Sequence, residues 1–260
     1  MITSTSNERV KHVHALSRRK TRQEEGRFVI EGLRLIEEAI RANARPDFLF
    51  YTTELDERGK KLVERLHASG VVCLDVTPGV MKFCSDTETP PGILAVLPFA
   101  SSALPVRPML SVVADALRDP GNLGTLLRAA AAAGADEVLL GPGTVDAYNP
   151  KVVRGAMGTH FRLPMAQKTW PAIASHLNSL SLWLADARGA VTYTQVDWTK
   201  PCALIVGGEA EGASPEADKL ATGRVSIPMQ RGIESLNAGV AAAVILFEAQ
   251  RQRMSASRDN

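Results

Sequence analysis

The chain has 260 residues, 45% of them hydrophobic and 22% charged, which excludes a disordered protein and leaves room for one large domain or two small ones. No apolar run approaches the roughly 18 residues of a membrane-spanning helix. The net charge of +2 says little about partners, but its distribution says more: Arg9, Lys11, Arg18, Arg19, Lys20 and Arg22 follow one another with no acidic residue between.

In chain order, residues 6–20 read as a helix carrying Val10, Val13 and Leu16, and residues 27–30 as a strand. Leu33, Ile36 and Ile40 suggest an amphipathic helix. Strands follow at 48–51 and 71–74, separated by a helix over 56–69 that Gly70 stops. A short helix from Pro78 to Cys84 and a strand over 92–97 close this half, whose alternation of strand and helix predicts an α/β domain over 1–97. Residues 98–108, with small residues and three prolines, read as a linker.

The second half, 109–251, restarts the pattern. Strands are expected at 110–114, 137–140, 162–165, 182–185, 203–206 and 225–228, and helices at 123–133, 149–157 and 170–180. A last helix, apolar for nearly its whole length, opens at Ser235-Leu236-Asn237. A helix apolar all round must be buried somewhere. Residues 252–260 read as a polar, disordered tail.

Cys73, Cys84 and Cys202 are too few and too far apart for a disulfide framework or a zinc pattern, which points to the cytoplasm. The Ser-, Thr- and Arg-bearing N-terminus could pass for a transit peptide, but Glu8 and the lack of an apolar core argue against targeting. The basic run is either a solvated helix face or a phosphate-neutralising surface for RNA.

Three clusters stand just after strands. The first is Asn122-Leu-Gly-Thr-Leu-Leu-Arg128, in which Gly124 and Arg128 share a helix face. The second is Gly207-Gly208-Glu209-Ala-Glu-Gly212, whose spacing and acidic residues do not fit a dinucleotide fingerprint. The third is Ile227-Pro228-Met229, followed by Ser235-Leu236-Asn237. Taken alone, Arg128 reads as a surface arginine and Ser235 as a helix cap. Together, in this order, they resemble the three motifs of the SpoU/TrmH-type RNA 2′-O-ribose methyltransferases of the SPOUT superfamily. Two positions depart from that pattern: Gly208, where the family usually has Asn or Ser, and Gly239, where bulkier apolar residues are usual. Phe28-Val-Ile-Glu-Gly32 and Pro91-Gly-Ile-Leu-Ala95 resemble the smaller, ribosomal-protein-like RNA-recognition domain found before the catalytic domain in many members.

The resemblance implies a SPOUT α/β domain with a deep trefoil knot, S-adenosylmethionine as cofactor, no metal, and a homodimer built in part on the last helix. It implies methylation of a ribose 2′-hydroxyl, with large-subunit ribosomal RNA favoured. Transfer RNA, or an RNA-binding or ribosome-assembly role without catalysis, are the alternatives. Arg128, Asn122, Glu209, Ser235 and Asn237 are then the expected catalytic residues. Gly207, Gly208, Gly212, Ile227, Met229, Ser235 and Leu236 would hold the cofactor, and the basic run from Arg9 to Arg22 would contact RNA.

Overall fold

The computed structural model describes residues 1–100, 103–208 and 212–257. The chain forms two compact units, Met1–Ala100 with Tyr148–Phe161, and Ser101–Ala147 with Arg162–Asn260.

The first unit runs α1 (Glu8–Ala15), α2 (Arg19–Glu25), β1 (Arg27–Glu31), α3 (Leu33–Arg41), β2 (Phe48–Tyr51), α4 (Glu57–Ala68), β3 (Val72–Asp75), α5 (Pro78–Cys84) and β4 (Ile93–Pro98). Its sheet has the order β1-β4-β2-β3, with β4 antiparallel to both neighbours and β2 parallel to β3. Side-chain alternation gives the sheet two buried faces. Ile30, Leu49, Ala95 and Leu97 pack with Leu35, Ile36, Leu62 and Leu66 of α3 and α4. Phe48, Phe50, Leu94 and Val96 pack with Val10, Val13, Val80 and Met81 of α1 and α5.

The two stretches of this unit that resemble the RNA-recognition domain lie side by side, Ile30 opposite Ala95 and Glu31 opposite Leu94. The Glu31 carboxylate accepts the Ser85 hydroxyl at 2.6 Å and the Asp86 N–H at 2.9 Å, tying down the loop before β4.

The helix expected over 6–20 is two helices. Arg18 is extended and breaks the run, and Arg22 stabilises the break by donating from Nη1 to the Leu16 and Ser17 carbonyls at 2.9 and 2.7 Å. Those carbonyls lie where α1 ends, so the guanidinium supplies donors that a terminated helix lacks.

The second half continues with β5 (Leu110–Asp115), α6 (Pro120–Ala132), β6 (Glu137–Leu140), α7 (Pro150–Ala156), β7 (Met165–Gln167), α8 (Trp170–His176), β8 (Ser181–Ala185), β9 (Val191–Thr192), β10 (Cys202–Gly207), α9 (Pro215–Leu220), β11 (Gly223–Ser226) and α10 (Ala238–Ala256). Of these, α7 belongs to the first unit, although its sequence lies within 109–251. Val153 enters the core beside α3 and α4, Tyr148 stacks on Phe99 at 3.7 Å between ring centroids, and Phe28 meets Tyr148 edge-on at 4.8 Å. Aromatic contacts of this kind form between segments distant in sequence, which periodicity cannot register.

The other strands form a parallel sheet of order β7-β6-β5-β10-β8-β11-β9. Val113, Leu182, Leu184, Ala203 and Ile205 face Ile173, Leu177 and Ala217 from α8 and its end and from α9. Elsewhere in this unit α6 and α10 pack on each other, pinned by a bond from Asn237 to Asn122 near their starts and from Gln250 Nε2 to the Ala132 carbonyl near the end of α6. Helix α9 and strand β9 are not foreseen from the sequence, each being too short to show a period.

The expected disordered tail is helical to Ala256, while 258–260 lie outside the described residues. Gln252 accepts the Trp198 N–H at 2.9 Å and donates to the Val196 carbonyl, and Arg253 donates to the carbonyls of Met109 and Lys200. Polar side chains that looked solvated thus tie the last turns of α10 to the domain. Among the described residues no helix is long and apolar enough to cross a membrane.

Candidate functional site

The first motif opens α6. Asp119 caps the helix by accepting the Asn122 N–H at 2.8 Å, and Pro120 occupies its first turn. The helix expected from 123 therefore begins three residues earlier, at Pro120. Gly124 is buried and Arg128, one turn on, is exposed. Among the described residues the Arg128 guanidinium has no hydrogen bond or ion pair.

The third motif opens α10, with Asn237 rather than Ser235 as the cap. Asn237 Oδ1 accepts the Val240 N–H at 3.2 Å, and its Nδ2 donates to Asn122 Oδ1 at 2.6 Å. Ser235 lies two residues earlier, exposed. Its oxygen is thus left to a ligand or solvent instead of to the helix start.

The second motif follows β10. Glu209 lies outside the described residues. Before it, Gly207 and Gly208 sit where backbone passes close by. A Cβ at Gly207 would come within 2.8 Å of the Gly212 carbonyl and the Ala213 nitrogen, and one at Gly208 within 2.8 Å of the Ala116 oxygen. Both neighbours are main chain and cannot swing aside, so Gly208 fits this backbone as Asn or Ser would not without a shift.

One residue beside this turn was missed in the sequence. Asp115 ends β5 opposite Gly207, fully buried, and its Oδ2 accepts the Ser214 N–H at 2.6 Å. Burial pushes its carboxyl above the ordinary range, and the Ser214 N–H opposes that shift. Among the described residues its Oδ1 has no hydrogen-bond partner. The available signal was an acid at the carboxyl end of a buried parallel strand, the end where α/β sheets bind ligands.

The loops after β8, β10 and β11 and the start of α10 enclose a cavity of about 610 Å³. All seven sequence-predicted cofactor residues line it together, Gly207, Gly208, Gly212, Ile227, Met229, Ser235 and Leu236. Asn122 and Arg128 are not in its lining, although the Asn122–Asn237 bond joins α6 to the segment that is. One wall was not foreseen. Asp186 after β8 accepts the Arg188 N–H at 2.8 Å, and Arg224 bridges Asp186 and Asp218. The Arg188 N–H above all, and then the Arg224 guanidinium, hold the Asp186 carboxyl below its usual range against the effect of burial. These residues are scattered over 186–224 and form no motif. Among the described residues no group of three or more His, Cys, Asp or Glu side chains is placed to hold a metal ion.

Of the basic run in the first unit, Arg9, Lys11, Arg18, Arg19 and Lys20 are exposed and Arg22 is not, at 2%. Arg22 is committed to the carbonyls between α1 and α2, which removes it from the candidate RNA surface. Lys11 pairs with Glu8 and Lys20 with Glu24, acids just outside the run. Such exposed pairs are weak and leave both cations able to exchange partners.

The model of the SpoU rRNA Methylase family matches residues 109–247, and that of the MRM3-like substrate binding domain matches 7–95. An uncharacterized tRNA/rRNA methyltransferase of Synechocystis sp. is 34% identical, covering 98% of this chain and 95% of that one. The Bacillus subtilis 23S rRNA (guanosine(2553)-2′-O)-methyltransferase RlmP is 31% identical over 95% of this chain and 97% of its own. A crystal structure of an AdoMet-bound rRNA methyltransferase from Sinorhizobium meliloti superposes with a TM-score of 0.84 at 30% identity, covering 96% of this chain and 97% of that one. The glycine-walled cavity lies within the matched segment, and with relatives of this similarity spanning both units, the chain belongs to the SpoU rRNA methylase family.

Proposed function

We propose that the protein transfers a methyl group from S-adenosylmethionine to a ribose 2′-hydroxyl of RNA, with large-subunit ribosomal RNA as the favoured substrate. The observation that carries this reading is the cavity itself. Its volume suits a nucleoside-sized ligand, and Gly207 and Gly208 line it with main chain. The ribosomal preference rests on RlmP, whose name specifies 23S rRNA.

When bound, the cofactor supplies an electrophilic sulfonium methyl. The residues around the cavity position and exclude water. Gly207, Gly208, Gly212, Ile227, Met229 and Leu236 enclose the cofactor, and Ser235 offers it a hydroxyl. Asn122, locked by Asn237, fixes the start of α6 and with it the helix face that carries Arg128. A cofactor held by these residues would offer its methyl to the 2′-oxygen, whose hydroxyl proton would pass to water. A guanidinium stays protonated in proteins, so Arg128 does not take that proton. It holds the target phosphate and stabilises negative charge developing on the attacking oxygen. Glu209, outside the described residues, keeps the catalytic role that the motif resemblance implies.

We further assign a homodimer through α10. Its packing against α6 leaves Val240, Phe247 and Met254 exposed at 44%, 47% and 53%. Successive steps of seven put them on one stripe of the helix. That stripe, the trefoil knot and a cytoplasmic site of action, in keeping with three unpaired cysteines, belong to the same proposal.

The test is methyl transfer from labelled S-adenosylmethionine to 23S rRNA and to transfer RNA, with the product mapped for 2′-O-methylation. Ribose methylation of 23S rRNA, lost in Arg128→Ala, supports the reading. Methylation of transfer RNA alone redirects it, and RNA binding without any transfer makes the chain an assembly factor.

A further inference from the structure

The cavity wall formed by the turn after β8 with parts of α9 and β11 carries four charges, and they are not equivalent. Arg224 lies between Asp186 and Asp218 and is spent on them. Arg188, in the same wall, is exposed, and among the described residues its guanidinium makes no hydrogen bond or ion pair. Its backbone, in contrast, is held: the Arg188 N–H donates to Asp186 Oδ1 at 2.8 Å, and the Gly189 N–H closes the turn on the Asp186 carbonyl at 2.9 Å. The wall therefore presents a fixed turn bearing one cation that makes no ion pair, only weakly offset by the nearby Asp186 carboxylate, beside a trio whose charges sum to minus one. The remaining described lining residues are uncharged.

S-adenosylmethionine carries two cations, the sulfonium and the α-ammonium, and one anion, the α-carboxylate. A cation is repelled by the first two and attracted by the third. We propose that Arg188 receives the methionine carboxylate of the cofactor and sets the cavity's preference for ligands that bear it. This rests on the cofactor reading above. A guanidinium matches a carboxylate through two parallel N–H···O bonds, and a turn already held by Asp186 spends less conformational entropy in presenting it. The acidic trio then adjoins the cofactor's cations. Arg188 is a specificity residue in this assignment, remote in role from Arg128, and it takes no part in methyl transfer.

The test is isothermal titration calorimetry of the full chain with S-adenosylmethionine and with its decarboxylated analogue, which keeps the adenosine, sulfonium and amine and lacks only the carboxylate. Wild type is expected to bind the intact cofactor about tenfold more tightly, the scale of one charge-assisted hydrogen bond net of solvation. In Arg188→Ala that ratio falls to near one, chiefly through weaker binding of the intact cofactor. Arg188→Lys keeps part of it. If Arg188→Ala does not melt as wild type does, Arg188→Gln replaces it, with the same expectation. An unchanged ratio in the variant, or equal weakening of both ligands, overturns the assignment, the latter showing that Arg188 touches a shared part of the ligand or only shapes the turn. Failure of wild type to bind either ligand overturns the cofactor reading itself, which distinguishes the two failures.

Discussion

Asn237 Nδ2 lies 2.6 Å from Asn122 Oδ1, so two residues 115 positions apart share one hydrogen bond, while the other end of the Asn237 amide caps α10 through the Val240 N–H. Only a side chain that donates and accepts at once can do both. Asp would cap but could not donate, and it would place a carboxylate against a carbonyl-type oxygen. Asn237→Asp should therefore keep the cap yet lose the link, and Asn237→Ala should lose both, at about 1 kcal/mol for the cap alone. Urea unfolding of the single and double variants with Asn122→Ala gives the coupling, expected at about 0.5–1.5 kcal/mol. Strict additivity would show that the bond contributes nothing.

The start of α10 also explains why a glycine stands at 239. A Cβ there would lie 2.9 Å from Thr125 Cβ and 3.0 Å from the Asn122 carbonyl oxygen. Gly239→Val should force α10 off α6, cost about 1–3 kcal/mol and disturb the Asn122–Asn237 bond. Gly239→Ala sets the same clash against a gain in helix propensity of about 1 kcal/mol. The check is the denaturation midpoint of each, with Val expected well below Ala and wild type.

Asp115 gives the protein a pH signature. Its folded-state carboxyl sits above the ordinary value of 3.8 because burial penalises the charge. The native state thus holds this proton more tightly than the unfolded chain. Its contribution to stability is full below 3.8 and is lost as pH rises through the raised folded-state value. Asp115→Asn keeps an oxygen for the Ser214 N–H and removes the ionisation. The difference in melting temperature between variant and wild type should move in favour of Asn as pH rises from about 4 to neutrality. A difference that does not change with pH in that interval would count against a strained buried charge.

RNA affinity and chemistry should separate. Replacing exposed Arg18, Arg19 and Lys20 with Ala should weaken RNA binding and leave S-adenosylmethionine affinity unchanged. The salt slope of RNA binding should fall by about 0.7–0.9 for each phosphate that the variant no longer neutralises. Arg128→Ala should bind the cofactor normally and lose single-turnover methylation even at saturating RNA, since added substrate cannot restore a transition-state interaction. The opposite pattern in single-turnover assays would reverse the division of labour. Arg22→Ala belongs with neither, because it should lower stability by leaving the Leu16 and Ser17 carbonyls unpaired.

The apolar stripe on α10 is testable by a single charge. Phe247→Glu should shift the protein from dimer to monomer in light scattering at micromolar concentration with its fold intact by circular dichroism. A dimer that survives the change would place the subunit interface elsewhere.

What the sequence determined by itself was local. The strand at 48–51, the helix from Pro78 to Cys84 and the three motif clusters were legible because periodicity, prolines and glycines act within a few residues of themselves. So was the gathering of Gly207, Ile227 and Leu236 around one cavity, through resemblance of the motifs as a set. Tertiary structure alone decided which side chain caps α10, that Arg22 is buried and bonded to the Leu16 and Ser17 carbonyls, and that Tyr148–Phe161 folds with the first unit. It also set Asp115 beneath the Gly207 turn and gathered Asp186, Arg188, Asp218 and Arg224 into one wall. The Asn122–Asn237 bond, the Asp115–Ser214 bond, the Asp186–Arg224 pair and the packing of Tyr148 on Phe99 each join partners tens of residues apart, and burial or pairing by such a partner leaves no trace in the spacing of a residue's own neighbours.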